Sequence, residues 1–140
     1  LGDLGSCNPI VFDEIDAGVS GRTASTIGKK LSALSISSQI LCITHLPQIA
    51  AFADHHFLIE KQVHGNNTFS KCTVLNADQQ RQEITAMLGV ANRFTVSPTA
   101  LQLLNIANSH KRPNEGSHFR SDTGENIAGV NQTIVYSHQR

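Results

Sequence analysis

Charge of either sign is balanced out of this sequence. Lys and Arg number 11, Asp and Glu number 11, and the formal net charge is zero. The chain therefore lacks the basic excess that marks a DNA-binding face or an anionic-membrane surface. That says nothing about other parts of a larger protein. Cysteine is scarce and scattered: Cys7, Cys42 and Cys72 are odd in number and form no C-x-x-C pair. A disulfide framework and a zinc site are both disfavoured, and the pattern suits a reducing cytosol. Cys42 lies in an apolar run, where a free buried thiol is the expected state. No apolar run approaches the ~20 residues that a bilayer-spanning helix needs, and no signal-peptide pattern opens the chain. Position 1 is Leu rather than Met, and Leu1 to Asn8 lead almost at once into a strand. The chain reads as a piece of a longer one, although a processed start would give the same pattern. The 140 residues, 39% of them apolar, suffice for one domain or a large part of one.

Two segments stand out among what is present. Ile10-Val11-Phe12 is a β-favouring run, read as a buried strand, and Asp13-Glu14-Ile15-Asp16 follows it. Ile40-Leu41-Cys42-Ile43 is a second such run, closed by Thr44 and His45. Between them Ala24, Ile27, Leu31 and Leu34 recur at helical spacing. Pro47 suits the first turn of a further short helix, continued by Ile49, Ala50, Phe52 and Ala53. His56 to Val63 and Thr68 to Leu75 alternate around Gly65-Asn66-Asn67, the signature of a hairpin. Ala77 to Leu88 predicts a helix with Ile84, Met87 and Leu88 inward and Gly89 as its stop. Ser97-Pro98 opens another, with Leu101, Leu104 and Ala107 inward. From His110 onward Asn, Ser, Gly and His dominate. A disordered tail is expected there, with a weak strand over Val130 to Tyr136 as the alternative.

A strand, an amphipathic helix and a second strand make a β-α-β unit, whose strands run parallel. Ligands of such sheets bind outside the carboxyl ends of the strands. Asp13, Glu14 and His45 should therefore share one rim. An apolar strand followed by Asp-Glu is the pattern that NTP hydrolysis uses. A hard divalent cation takes carboxylate and water oxygens, and a neighbouring carboxylate can polarise the attacking water. His45 could hydrogen-bond a phosphate oxygen from the next strand. His55 and His56 are expected to face solvent. They do not suggest a three-histidine metal site with His45, because neighbours on a strand point to opposite faces.

The longer segments sharpen this. Asp13-Glu14-Ile15-Asp16-Ala17-Gly18-Val19-Ser20-Gly21 resembles a DEIDxGxSG signature. Cys42-Ile43-Thr44-His45-Leu46-Pro47-Gln48-Ile49-Ala50 is similar to the CITHLPQ(V/I)A segment of the same proteins, and Ala53 to Lys61 continues in register. These motifs resemble the SMC-like ABC ATPase family in its bacterial DNA-repair branch. The resemblance is dense from Asn8 to Lys61 and looser to about Ser109. General ABC ATPases have Pro-Thr after Asp-Glu, which is absent here.

The resemblance implies an α/β fold: the C-terminal half of a P-loop NTPase head of ABC/SMC type, with parallel strands, crossover helices and a β-hairpin. It implies a lobe over 1–109 and a divergent tail over 110–140. It makes Asp13 the Walker B aspartate for Mg²⁺, Glu14 the catalytic base and His45 the switch histidine. Ser20 and Gly21 fall in the D-loop, which crosses a dimer interface, although many relatives have Asp where Ser20 stands. Gln48 is matched without a role. Implied cofactors are ATP and Mg²⁺; implied partners are a second head, forming a homodimer, and DNA through the complete protein, in bacterial cytoplasm at the nucleoid. Neither a G-x-x-x-x-G-K-[ST] loop nor an LSGGE-like signature is present. This piece alone is therefore expected neither to bind ATP tightly nor to hydrolyse it. Another SMC-like head, or a non-catalytic truncated remnant, are the alternatives.

Overall fold

The computed structural model describes residues 9–90, 95–111 and 133–138, the last by its backbone alone. Five strands form one sheet in the order β1-β2-β5-β3-β4. β1 (Ile10–Asp13) and β2 (Ile40–Ile43) are parallel, as the β-α-β reading requires, and α1 (Gly21–Leu34) connects them. β3 (His55–His64) and β4 (Asn67–Val74) are the antiparallel hairpin. The two residues at its tip begin with Gly65 at φ +61, a conformation L side chains avoid and hairpin turns demand. β5 (Thr133–His138) lies between β2 and β3, parallel to both. The fold is mixed α/β.

α2 (Pro47–Ala50) is a single turn, with Pro47 at its start. α3 (Ala77–Met87) begins at a capping box in which Asn76 and Gln79 each accept the other's backbone N–H at 2.9 Å. It ends at Gly89, φ +79. α4 (Pro98–His110) starts as the Ser-Pro pair predicts: Ser97 Oγ accepts the Thr99 N–H at 3.2 Å. The two helices are tied by Thr85. Its buried hydroxyl donates to the Arg81 carbonyl at 2.8 Å and accepts the Ser97 N–H at 3.1 Å.

The core joins Ala24 and Leu31 of α1, Ile40 and Cys42 of β2, Ile49 and Phe52 at α2, Ile84 of α3, and Ala100, Leu104 and Ala107 of α4. Alanine at so many core positions lets the helices approach closely. Several expectations need correction. β1 is an edge strand and not a buried one: Ile10 is 38% and Val11 58% exposed, because a strand with a single neighbour leaves one side open. Leu34 and Leu101 face outward, and Gly28 and Ala100 take the inward places. The inward line of a tightly packed helix selects small residues, which a search for large apolar ones passes over. His56 is buried, at 1% exposure, and does not face solvent. The strand alternation turns it inward with Leu58 while His55 is half-buried. In the tail a strand forms at Thr133–His138, overlapping the weaker alternative of Val130 to Tyr136. Of the tail expected from 110, His110 ends α4 and Lys111 caps it, while residues 112–132 and 139–140 lie outside the described residues, as does Cys7.

Candidate functional site

The register of the parallel pair positions the rim. Asp13 is the Cα partner of Ile43, so the chain leaves both strands at the same edge of the sheet. Asp13-Glu14 emerges from β1 beside Thr44-His45 from β2. Asp13 and Glu14 are both exposed, and His45 has 57% of its side chain exposed. The three sequence-predicted residues of the rim are thus accessible and lie on adjacent strand ends.

Glu14 stands in the left-handed region, φ +50, the only non-glycine described there. Such a backbone costs a β-carbon residue on the order of 1 to 2 kcal/mol. The strain turns the chain sharply at the strand end. Two turns follow: the Ala17 N–H donates to the Glu14 carbonyl at 3.2 Å, and the Val19 N–H donates to that of Asp16 at 3.1 Å. Gly18, φ +75, sits between them. The loop delivers Ser20 to the N-cap of α1, where its carbonyl accepts the Ala24 N–H at 2.8 Å. Ser20 Oγ lies 3.4 Å from Thr23 Oγ1 and caps no backbone group. Gly21 opens the helix against Gln48, whose amide nitrogen would lie 3.2 Å from a β-carbon placed there. Ser20, Gly21 and Gln48 are therefore neighbours of the rim loop, gathered at the junction of α1 and α2.

A side chain given no role from sequence holds this region together. Asp16 is 3% exposed. One of its carboxylate oxygens, Oδ2, accepts the Thr44 hydroxyl, the His45 backbone N–H at 2.9 Å, and lies 3.1 Å from His45 Nδ1. The Leu46 N–H donates to Thr44 Oγ1 at 3.1 Å, closing the network. Burial pushes the Asp16 carboxyl up, but the hydrogen bonds from Thr44 and the His45 backbone outweigh it and hold the carboxyl below its ordinary value. Asp16 is thus a buried anion linking the loop after β1 to the loop after β2. The signal in the sequence was its place within the Asp13–Gly21 motif; nothing local pointed to a bond spanning 29 residues.

The exposed oxygens at the rim are of the kind a hard cation takes, and among the described residues no group of three or more His, Cys, Asp or Glu is gathered to hold one. Asp13 and Glu14 offer exposed carboxylate oxygens at one strand end, too few for a closed cation cage and suited to an ion that keeps waters and takes phosphate ligands. Cys42, behind the rim on β2, is a buried thiol pushed up to about 12 by burial and by the nearby Asp16 and Asp13 carboxylates. It is a free buried thiol, as expected. A cavity of about 320 Å³ between the hairpin and α3, lined by Leu58, Lys71 and Glu83 among others, contains none of the rim residues. Among the described residues no helix is long and apolar enough to cross a membrane.

No family model matches the chain. Known proteins do. The DNA repair protein RecN of Halalkalibacterium halodurans is 41% identical over 103 residues, 73% of this chain and 18% of that protein. RecN of Bacillus subtilis is 43% identical over the same length and shares. RecN of Treponema pallidum is 34% identical over 115 residues, 82% of this chain and 20% of that protein. The chain spans between 18% and 20% of the length of these relatives. Over the matched residues, this chain belongs to the RecN family.

Proposed function

We propose that this chain supplies the metal-holding and water-activating edge of an ATPase head of ABC/SMC type, within a protein of DNA double-strand-break repair. One observation carries the reading. The parallel register of β1 and β2 brings Asp13-Glu14 and His45 out at one sheet edge, exposed to solvent. That is the place where open α/β sheets receive phosphate ligands. The relatives' name, DNA repair protein, supports the wider process.

In this reading Asp13 holds Mg²⁺ through its carboxylate. The ion, when bound, would offset the negative charge of the phosphates. Glu14 accepts a hydrogen bond from the attacking water and takes its proton as the water oxygen bonds to the γ-phosphorus and the bond from that phosphorus to the ADP oxygen breaks. The left-handed backbone at Glu14 turns the chain at the strand end. His45 contacts an oxygen of the transferred phosphate. Ser20 and Gly21, at the start of α1, meet the second head of a homodimer. DNA is bound by the complete protein, through surfaces beyond this neutral segment. The P-loop that grips the phosphates is not in this sequence, so the rim is half of a site.

The test uses Glu14→Gln in a longer protein that carries this segment together with a P-loop. ATP binding should persist, hydrolysis should fall by about a hundredfold or more, and the closed dimer should accumulate with ATP. Normal turnover would refute the role of Glu14. The 140-residue chain alone should show no Glu14-dependent ATP turnover.

A further inference from the structure

We propose that Asp16 is the positioning residue for His45, holding the imidazole by Nδ1 so that Nε2 is the nitrogen presented at the rim. The proposal rests on the reading of His45 given above for its function, but its geometry stands independently. Asp16 is nearly absent from the surface, with 1% of its side chain exposed, and His45 keeps 57%. A single carboxylate oxygen accepts the backbone N–H of His45 at 2.9 Å, and the ring Nδ1 lies 3.1 Å from the same oxygen, within ion-pair reach. The main chain of His45 is thus fixed on this acceptor, with the ring beside it. The Thr44 hydroxyl donates to the same oxygen and anchors it from the preceding residue.

The chemistry follows from the acceptor. An ionised carboxylate only accepts, so Nδ1 must carry a hydrogen to bond it. The neutral imidazole is then the Nδ1–H tautomer, and Nε2 carries a lone pair. A phosphate oxygen also only accepts. A contact between Nε2 and phosphate therefore needs the second proton, and the buried Asp16 anion is placed to balance the charge of that imidazolium. Asp16 acts through His45 and touches no substrate. An orienting carboxylate behind a histidine does comparable work in hydrolases of unrelated fold. The chain places it three residues after Asp13, so one loop carries both the metal-holding carboxylate and the group that aims the imidazole.

The test is imidazole nitrogen NMR on the 140-residue chain, with His45→Gln to assign the signal. At a pH where the ring is neutral, wild-type His45 should carry its proton on Nδ1. In Asp16→Asn, with the amide spectrum confirming the fold, the proton should move toward Nε2, the nitrogen that histidine in water prefers. A wild-type His45 protonated on Nε2 would overturn the proposal whether or not the variant folds, and so would an Asp16→Asn spectrum with an unchanged tautomer. A second arm measures ATP hydrolysis in the longer, P-loop-bearing protein. Asp16→Asn should lower kcat about tenfold or more with KM little changed, and adding it to His45→Gln should cost nothing further. If the tautomer responds and kcat does not, Asp16 still positions His45, and the phosphate role of His45 falls instead.

Discussion

At position 56 an imidazole sits where water does not reach. Burial pushes its pKa down to about 4 from an ordinary 6.5. The folded chain refuses a proton that the unfolded chain takes up below about pH 6.5. The stability lost this way is nil at neutral pH and grows as pH falls toward the folded value. By pH 5 it amounts to about 2 kcal/mol. Urea unfolding midpoints should drop between pH 7 and pH 5, and His56→Gln should flatten that slope. A variant as acid-sensitive as wild type would place the effect elsewhere. The burial itself was not legible beforehand. His55 and His56 are adjacent polar residues at a strand start, and which one turns inward depends on the sheet's neighbours. The place of Asp13, Glu14 and His45 at the strand ends was legible because each follows or closes an apolar run. Asp16 and Thr44 were not legible as a pair, since their bond joins loops that only folding brings together.

Among the elements, α1 and α2 approach most closely at a glycine. A β-carbon on Gly28 would lie 2.5 Å from Phe52 Cδ2 and 3.0 Å from the Gln48 carbonyl oxygen. Gly28→Ala would gain about 1 kcal/mol of helix propensity. The clash opposes it, and a backbone carbonyl cannot swing aside as a flexible side chain can. Overpacking of this kind costs about 1 to 3 kcal/mol, so we expect a net loss and a lower Tm. A higher Tm would mean that the two helices are not in contact there. The helix was readable from Ala24, Ile27 and Leu31, but its contact line was not. Glycine in an apolar stripe carries no hydrophobic signal, and Leu34 carried a misleading one. The hairpin, α3 and the start of α4 were readable for a different reason: turn glycine, cap and Ser-Pro chemistry are local. The depth of β1 was not, because burial of a strand depends on what lies beside it.

For the whole molecule, the sheet is continuous only through β5. It pairs with β2 on one side and β3 on the other, and those two strands do not pair with each other. A chain ending at residue 132 would leave two open strand edges in the middle of the sheet, each a template for association. It should unfold at lower urea concentration and aggregate at concentrations where the complete 140-residue chain does not. An unchanged midpoint would remove β5 from its place. The tail composition hid this strand, since Asn, Ser and Gly dominate around it.

Glu14 has a consequence on a longer timescale. Its left-handed backbone suits glycine or asparagine better than any carboxylate. In a lineage that no longer hydrolyses ATP, mutation would therefore not wander evenly at this site. It would drift toward the residues the backbone prefers, with a more stable protein as the immediate reward. Under the role proposed for Glu14, glutamate at such a position is the residue that use retains and neglect discards first, which makes position 14 a gauge for telling working copies of this segment from decaying ones.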